Sequence, residues 1–163
     1  MAEARAEKSE VRKTSEGQGD KKRRTSVRKS TRHKAREVVL QALYWTESTG
    51  DPVETTCSET AKAMGISDED LPFVLALGRE TFLQKGRFDR MIAEVSEHWH
   101  LDRIARVDLL IMRMALAEFF CFDDIPMKVS LDEAIELSKR FSGPDAPAFV
   151  NGILDAIIKK EMV

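Results

Sequence analysis

No stretch of this chain stays apolar for the roughly 20 residues needed to cross a bilayer. The N-terminus also lacks the apolar segment of a secretory signal, and Glu3, Glu7 and Glu10 argue against a transit peptide. The expectation is a cytoplasmic protein with no membrane partner. Cysteine is scarce: Cys57 and Cys121 stand far apart without CxxC spacing and read as reduced thiols, not a disulfide framework. Cys121 follows Phe119 and Phe120, which points to a buried, inert thiol. Common catalytic signatures are missing as well, with no HExxH, no phosphate-binding Gly loop, no GxSxG and no GxGxxG. His98 and His100 lie about 200° apart on a helix and cannot hold one ion from it. The chain therefore reads as a non-enzyme that uses neither metal nor cofactor. No segment alternates apolar and polar residues with β-branched enrichment, so no strand is expected.

Acid is absent from residues 21–36, KKRRTSVRKSTRHKAR, which carry nine Lys or Arg. Residues 1–36 hold 13 basic and 5 acidic groups, and the remainder holds 13 basic and 23 acidic ones. The formal net charge of −2 thus conceals a basic arm on an acidic body. Such an arm suits a polyanion, because each neutralised phosphate releases condensed counterions. The acidic body repels nucleic acid except near the arm's root. A solvated tail that only aids solubility is the other reading of the same charges. Large apolar groups are nearly absent from 1–31, where Val11 and Val27 stand alone, so this stretch is expected to be disordered.

From Thr31, a plausible N-cap, the pattern turns helical. Ala35, Val38, Val39, Ala42 and Leu43 recur at the spacing of one apolar stripe. Gly50-Asp51-Pro52 ends that helix and opens a short one, with Pro52 at its first position, that Gly65 stops. Ser67 with Asp70 resembles a capping box for a helix over about 68–85, and Gly86 breaks it before another over about 87–98. Residues 103–121 are apolar almost all round, which predicts a central buried helix. Ser130 with Glu133 reads as a capping box for a helix over 131–141, and Pro147 opens the last helix. Asp132, Glu133 and Glu136 suit the positive end of a helix dipole better than paired catalytic carboxylates. Gly152 sits inside helical periodicity, where a glycine permits close helix approach. The expected fold is all-α, about seven helices.

The face of the first helix opposite its stripe carries the chemistry. At about 100° per residue, Tyr44 lies opposite Ala35, His33 and Leu40 lie near Tyr44, and Arg36 lies about 80° to one side. Guanidinium groups hold phosphates and aromatic rings stack on unpaired bases. The competing reading packs Leu40 and Tyr44 against the second half of the chain and leaves the arginines solvated.

The segment RHKAREVVLQALYW at 32–45 resembles the opening of the NusB transcription antitermination factors. WHLDR at 99–103, VDLLIMRMALAEF at 107–119, IPMKVSLDEAIELSKRFSG at 125–143 and FVNGILDAI at 149–157 also match the family, in order. The resemblance covers roughly 32–160. It implies two small helical bundles packed across one another, at about 32–85 and 86–163, behind a basic arm over 1–31. It further implies binding of the boxA element of nascent ribosomal RNA together with NusE, a small-subunit ribosomal protein, in the RNA polymerase antitermination complex. Residue by residue, the arginine-rich motif falls on Arg32, His33, Lys34 and Arg36, with His33 where the family often has Arg. The tyrosine of the ALY motif is Tyr44, bordering RNA or NusE. Asp108 falls at a candidate NusE contact, and Asp145 at the rim of the RNA surface. Phe149 and Asn151, which carry the FVNG signature, fall at the same rim, with core packing and a structural hydrogen bond as their alternative roles. Ala117 replaces an aromatic residue common in the family. Whether the free protein pairs with a second copy stays open. Two other classes also remain: a stand-alone accessory of ribosomal RNA modification, and a helical interaction module whose arm binds nucleic acid without selectivity.

Overall fold

The computed structural model describes residue 23, residues 31–97 and residues 100–162. The chain divides into two compact units, Met1–Lys34 and Ala35–Val163. Of the first unit, Arg23 and residues 31–34 are described, and all are helical. Thr31 is therefore part of a helix and not the residue that caps one. The expected disorder of the arm otherwise concerns residues outside the described ones, and His98 and Trp99 lie outside them too.

The second unit is all-α. It comprises α1 (35–49), α2 (Val53–Ala63), α3 (Leu71–Leu83), α4 (Lys85–Val95), a 3-10 turn (Leu101–Arg103), α5 (Arg106–Cys121), α6 (Met127–Phe141) and α7 (Ala146–Glu161). No strand occurs among the described residues. α5 is the hub, packed against α3, α4, α6 and α7. Its sequence explains the position, since Leu110, Ile111, Met112, Met114, Leu116 and Ala117 are all buried and surround the helix axis. Burial of a large apolar side chain contributes about 1.5–3 kcal/mol, so a helix apolar on every side gains most at the centre. The α1 stripe of Ala35, Val38, Val39, Ala42 and Leu43 is wholly inside. Two glycines make the turns that no other residue adopts readily: Gly50 ends α1 at φ 80° and Gly65 ends α2 at φ 71°.

Several helix limits differ from the sequence reading. Pro52 stands just ahead of α2, its carbonyl accepting from the amides of Thr55 and Thr56. Ser67 and Asp70 bond one another in a turn, with Ser67 Oγ 3.1 Å from Asp70 Oδ2, and α3 starts only at Leu71. α3 and α4 meet at Gln84, two residues before the expected break at Gly86. α6 begins at Met127, directly after Pro126, so Ser130 and Glu133 lie within the helix and form no capping box. Both are buried and polar because they face partners on other helices, Ser130 one on α5 and Glu133 one on α1, described below.

Helix approach is closest at Gly78 on α3, not at Gly152. A Cβ on Gly78 would come within 2.5 Å of Cys57 Sγ on α2, whereas one on Gly152 meets nothing within 4 Å. Cys57 is almost wholly buried, and burial, helped by the charge of Glu54, pushes its thiol up to about 12. Cys121 is half-buried, not enclosed; partial burial raises its pKa as well. An alkylating reagent at pH 8 is therefore expected to leave Cys57 unmodified in the folded protein and to label it fully in urea. Stoichiometric native labelling of Cys57, read by peptide mass mapping, would contradict the packing of α2 on α3.

Candidate nucleic-acid interface

In the first unit, Lys34 is exposed and Arg32 and His33 are half-buried. These three stand at the start of the ALY segment. In the second unit, Arg36 does not join the surface: it is 3% exposed. Its Nε donates to Glu118 Oε2 at 3.0 Å and its Nη2 to Glu118 Oε1 at 2.7 Å, a bidentate fork. Ser130 Oγ donates to the same Oε1 at 3.1 Å, Glu133 Oε2 lies 4.0 Å from Nη1, and the Phe73 ring lies 5.5 Å from the guanidinium. In this structure the Arg36 guanidinium, expected at phosphate, is engaged by Glu118. A guanidinium taken out of water needs a buried carboxylate, and Glu118 supplies it.

The outer face of α1 is formed by Tyr44, 46% exposed, and Trp45, 37% exposed. Leu40, expected beside Tyr44, is buried. Leu40, Gln41 and Tyr44 of α1, Val107 of α5 and Phe141 of α6 line an apolar groove of about 280 Å³. The Arg106 guanidinium lies 5.8 Å from the centre of the Tyr44 ring and 3.8 Å from Glu47 Oε2. Behind the groove, Arg113 of α5 forks onto Asp89 of α4 at 2.7 and 2.8 Å and also donates to Glu47 of α1. Burial opposes the Arg113 charge, but the hydrogen bonds and charges of Asp89 and Glu47 outweigh it, so its pKa rises. Arg140 of α6 donates to buried Glu37 of α1. These ion pairs tie α1 to α4, α5 and α6, and so hold the groove walls in place. Spacing along the sequence carried no sign of them, since each joins residues far apart in the chain.

Asp108 is 8% exposed, and its Oδ1 is buried without a hydrogen-bond partner among the described residues. Expected at a NusE contact, it offers little exposed surface. Its place in the first turn of α5 suits the positive end of that helix. Asp145 is exposed immediately before α7. Phe149 is half-buried and packs against the core, and with Val95 and Gly152 it lines a second groove between α4 and α7. Asn151 is exposed and makes no side-chain hydrogen bond to a described residue, so the structural hydrogen bond expected as its alternative is not formed. Ala117 is fully buried, so the missing aromatic ring concerns packing. No group of three or more His, Cys, Asp or Glu among the described residues is placed to hold a metal ion.

The NusB family model matches residues 33–159, which takes in α1 to α6 and most of α7. The chain belongs to the NusB family. It is 37% identical to the transcription antitermination protein NusB of Desulforudis audaxviator, over 79% of this chain and 94% of that one. NusB of T. maritima has the same fold, with a TM-score of 0.74 and 31% identity over 79% of this chain and 91% of that one. A NusB solved with NusE and double-stranded RNA matches in fold with a TM-score of 0.72 and 22% identity, over 80% of this chain and 98% of that one.

Proposed function

We propose that this NusB-family chain is a transcription antitermination factor that binds boxA RNA of nascent ribosomal transcripts together with NusE, within the antitermination complex at RNA polymerase. The match to antitermination proteins over nearly their whole length carries this reading. The function is binding, without catalysis. Arg32 and Lys34 supply phosphate contacts, as expected of cations at the foot of a strongly basic arm, and His33 between them adds a ring N–H donor. Asp145 rims the RNA surface, where its charge limits affinity, and Phe149 and Asn151 lie beside it in sequence at the start of α7. The groove beside Tyr44 is the docking surface for NusE. It is concave and apolar, it is bordered by an aromatic ring with a polar tip, and its walls are fixed by the Arg113 and Arg140 ion pairs.

Titration of labelled boxA RNA into the chain alone and into its mixture with NusE tests the pairing. The mixture is expected to bind more tightly. Tyr44→Ala is expected to weaken the NusE pair by about tenfold, roughly 1.4 kcal/mol, while leaving the RNA affinity of the chain alone close to wild type. An unchanged NusE affinity in the Tyr44→Ala variant would remove the groove from the account.

A further inference from the structure

Seven of the fourteen Lys and Arg of the second unit are tied to carboxylates, and four of those without an ion pair among the described residues lie close together in sequence. Arg36, Arg106, Arg113, Lys139, Arg140, Lys159 and Lys160 all sit in ion pairs. Arg79, Lys85, Arg87 and Arg90 fall within one short stretch, are exposed, and have no ion-pair partner among the described residues. This stretch runs counter to the charge of an otherwise acidic body. Its one free carboxylate neighbour on α3, Glu80, accepts a hydrogen bond from Gln84 at 2.7 Å, and Asp89 is taken by Arg113.

Two of these cations are held on aromatic rings where α3 meets α4. Lys85 Nζ lies 4.4 Å from the centre of the Phe82 ring, and the Arg87 guanidinium lies 4.7 Å from that of Phe120 at the end of α5. Arg87 Nη1 also donates to Gln84 Oε1 at 2.9 Å. A ring beneath a guanidinium limits its rotation but leaves most of its N–H edge free, which is the geometry that grips a phosphate. Between them Leu83 is 63% exposed, an apolar surface of a size suited to the face of an unpaired base. The joint is also physically continuous with the Arg36 end of the unit. Gln84 Nε2 lies 3.1 Å from Cys121 Sγ, and the next residue, Phe122, packs edge-to-face on Phe73 beneath Arg36.

We propose that Lys85 and Arg87, braced on Phe82 and Phe120, form a second contact for the phosphate backbone of bound RNA, beyond the arginine-rich start of the chain. The proposal rests on the RNA-binding reading and adds a site to it. RNA longer than boxA itself engages this joint, and the contact is indifferent to sequence.

The test is fluorescence anisotropy of the full chain with a single-stranded RNA carrying boxA and long flanks, over a salt series. The double variant Lys85→Gln, Arg87→Gln is compared with Lys62→Gln, Lys128→Gln, which removes the same charge from exposed, unpaired lysines elsewhere. The first pair is expected to flatten the dependence of log affinity on log salt by about 1 to 2, and the control pair to leave it unchanged. Phe120→Leu, which keeps the charge but removes the brace, is expected to reproduce part of the loss. Equal slopes for wild type and the Lys85, Arg87 variant would overturn the proposal while leaving the RNA reading intact. An equal loss in both double variants would overturn it too, because net charge alone would then be acting. Absence of any preference of the wild type for boxA would instead remove the reading on which the proposal rests.

Discussion

Replacing Arg36 by alanine is expected to destabilise the fold by roughly 3–5 kcal/mol, the cost of leaving a buried charge without its partner. Glu118 is 2% exposed and Arg36 3%, so neither can turn to water when the other is lost. Glu133, 4.0 Å from the guanidinium, would then stand near a buried Glu118 carboxylate that has lost its cation. Lysine at this position keeps the charge but not the fork, and is expected to restore only part of the stability. The double replacement Arg36→Met, Glu118→Leu removes both charges and is expected to lie much closer to wild type than either single change. Urea denaturation of the four proteins measures this directly. A fully stable Arg36→Ala protein with a flattened salt dependence of RNA binding would show that the side chain holds phosphate after all.

Gly78→Val is expected to cost about 3 kcal/mol, at the upper end of what overpacking a tight core costs. Two effects oppose each other here. Replacing a mid-helix glycine by alanine gains up to about 1 kcal/mol of helix propensity, and by valine less. Against that, a Cβ at Gly78 meets Cys57 Sγ at 2.5 Å, with Val53 Cγ2 at 3.6 Å behind it, and Cys57 is 1% exposed with no room to withdraw. Even Gly78→Ala should therefore destabilise. In a Cys57→Ala background the obstructing sulfur is gone, and Gly78→Ala is expected to become neutral or stabilising. The difference between the two backgrounds, read from urea midpoints, isolates the contact. Additive effects of the two substitutions would mean that α3 and α2 are not packed as closely as described.

What could be read from the sequence was whatever rests on local spacing. The stripe of α1 and the all-round apolar surface of α5 follow from helical periodicity, and burial obeys the same period. Arg36 escaped because a helical wheel sets it between the two faces of α1. Its direction is decided by Glu118, 82 residues later in the chain. Ser130 and Glu133 were misread for the same reason: at capping-box spacing they look local, yet their partners lie on α5 and α1. Gly78 and Gly152 are both glycines within apolar helical segments. Only the neighbouring helix, α2 beside Gly78 and open space beside Gly152, tells them apart. Among the expected RNA and partner residues, the motif carries no information on exposure. The helical wheel sets Tyr44 on the outer face, where it is exposed, whereas nothing in the spacing shows that Asp108 is buried.

Selective recognition of boxA is the central claim, and one comparison tests it most directly. Labelled boxA RNA and a scrambled RNA of equal length and composition are titrated at near-physiological salt, with and without NusE, and followed by fluorescence anisotropy. The predicted result is a preference for boxA that sharpens when NusE is present, since phosphate contacts alone carry no sequence information. Equal affinity for both RNAs, lost together as salt rises and unmoved by NusE, would show a basic arm acting alone and would contradict the antitermination reading.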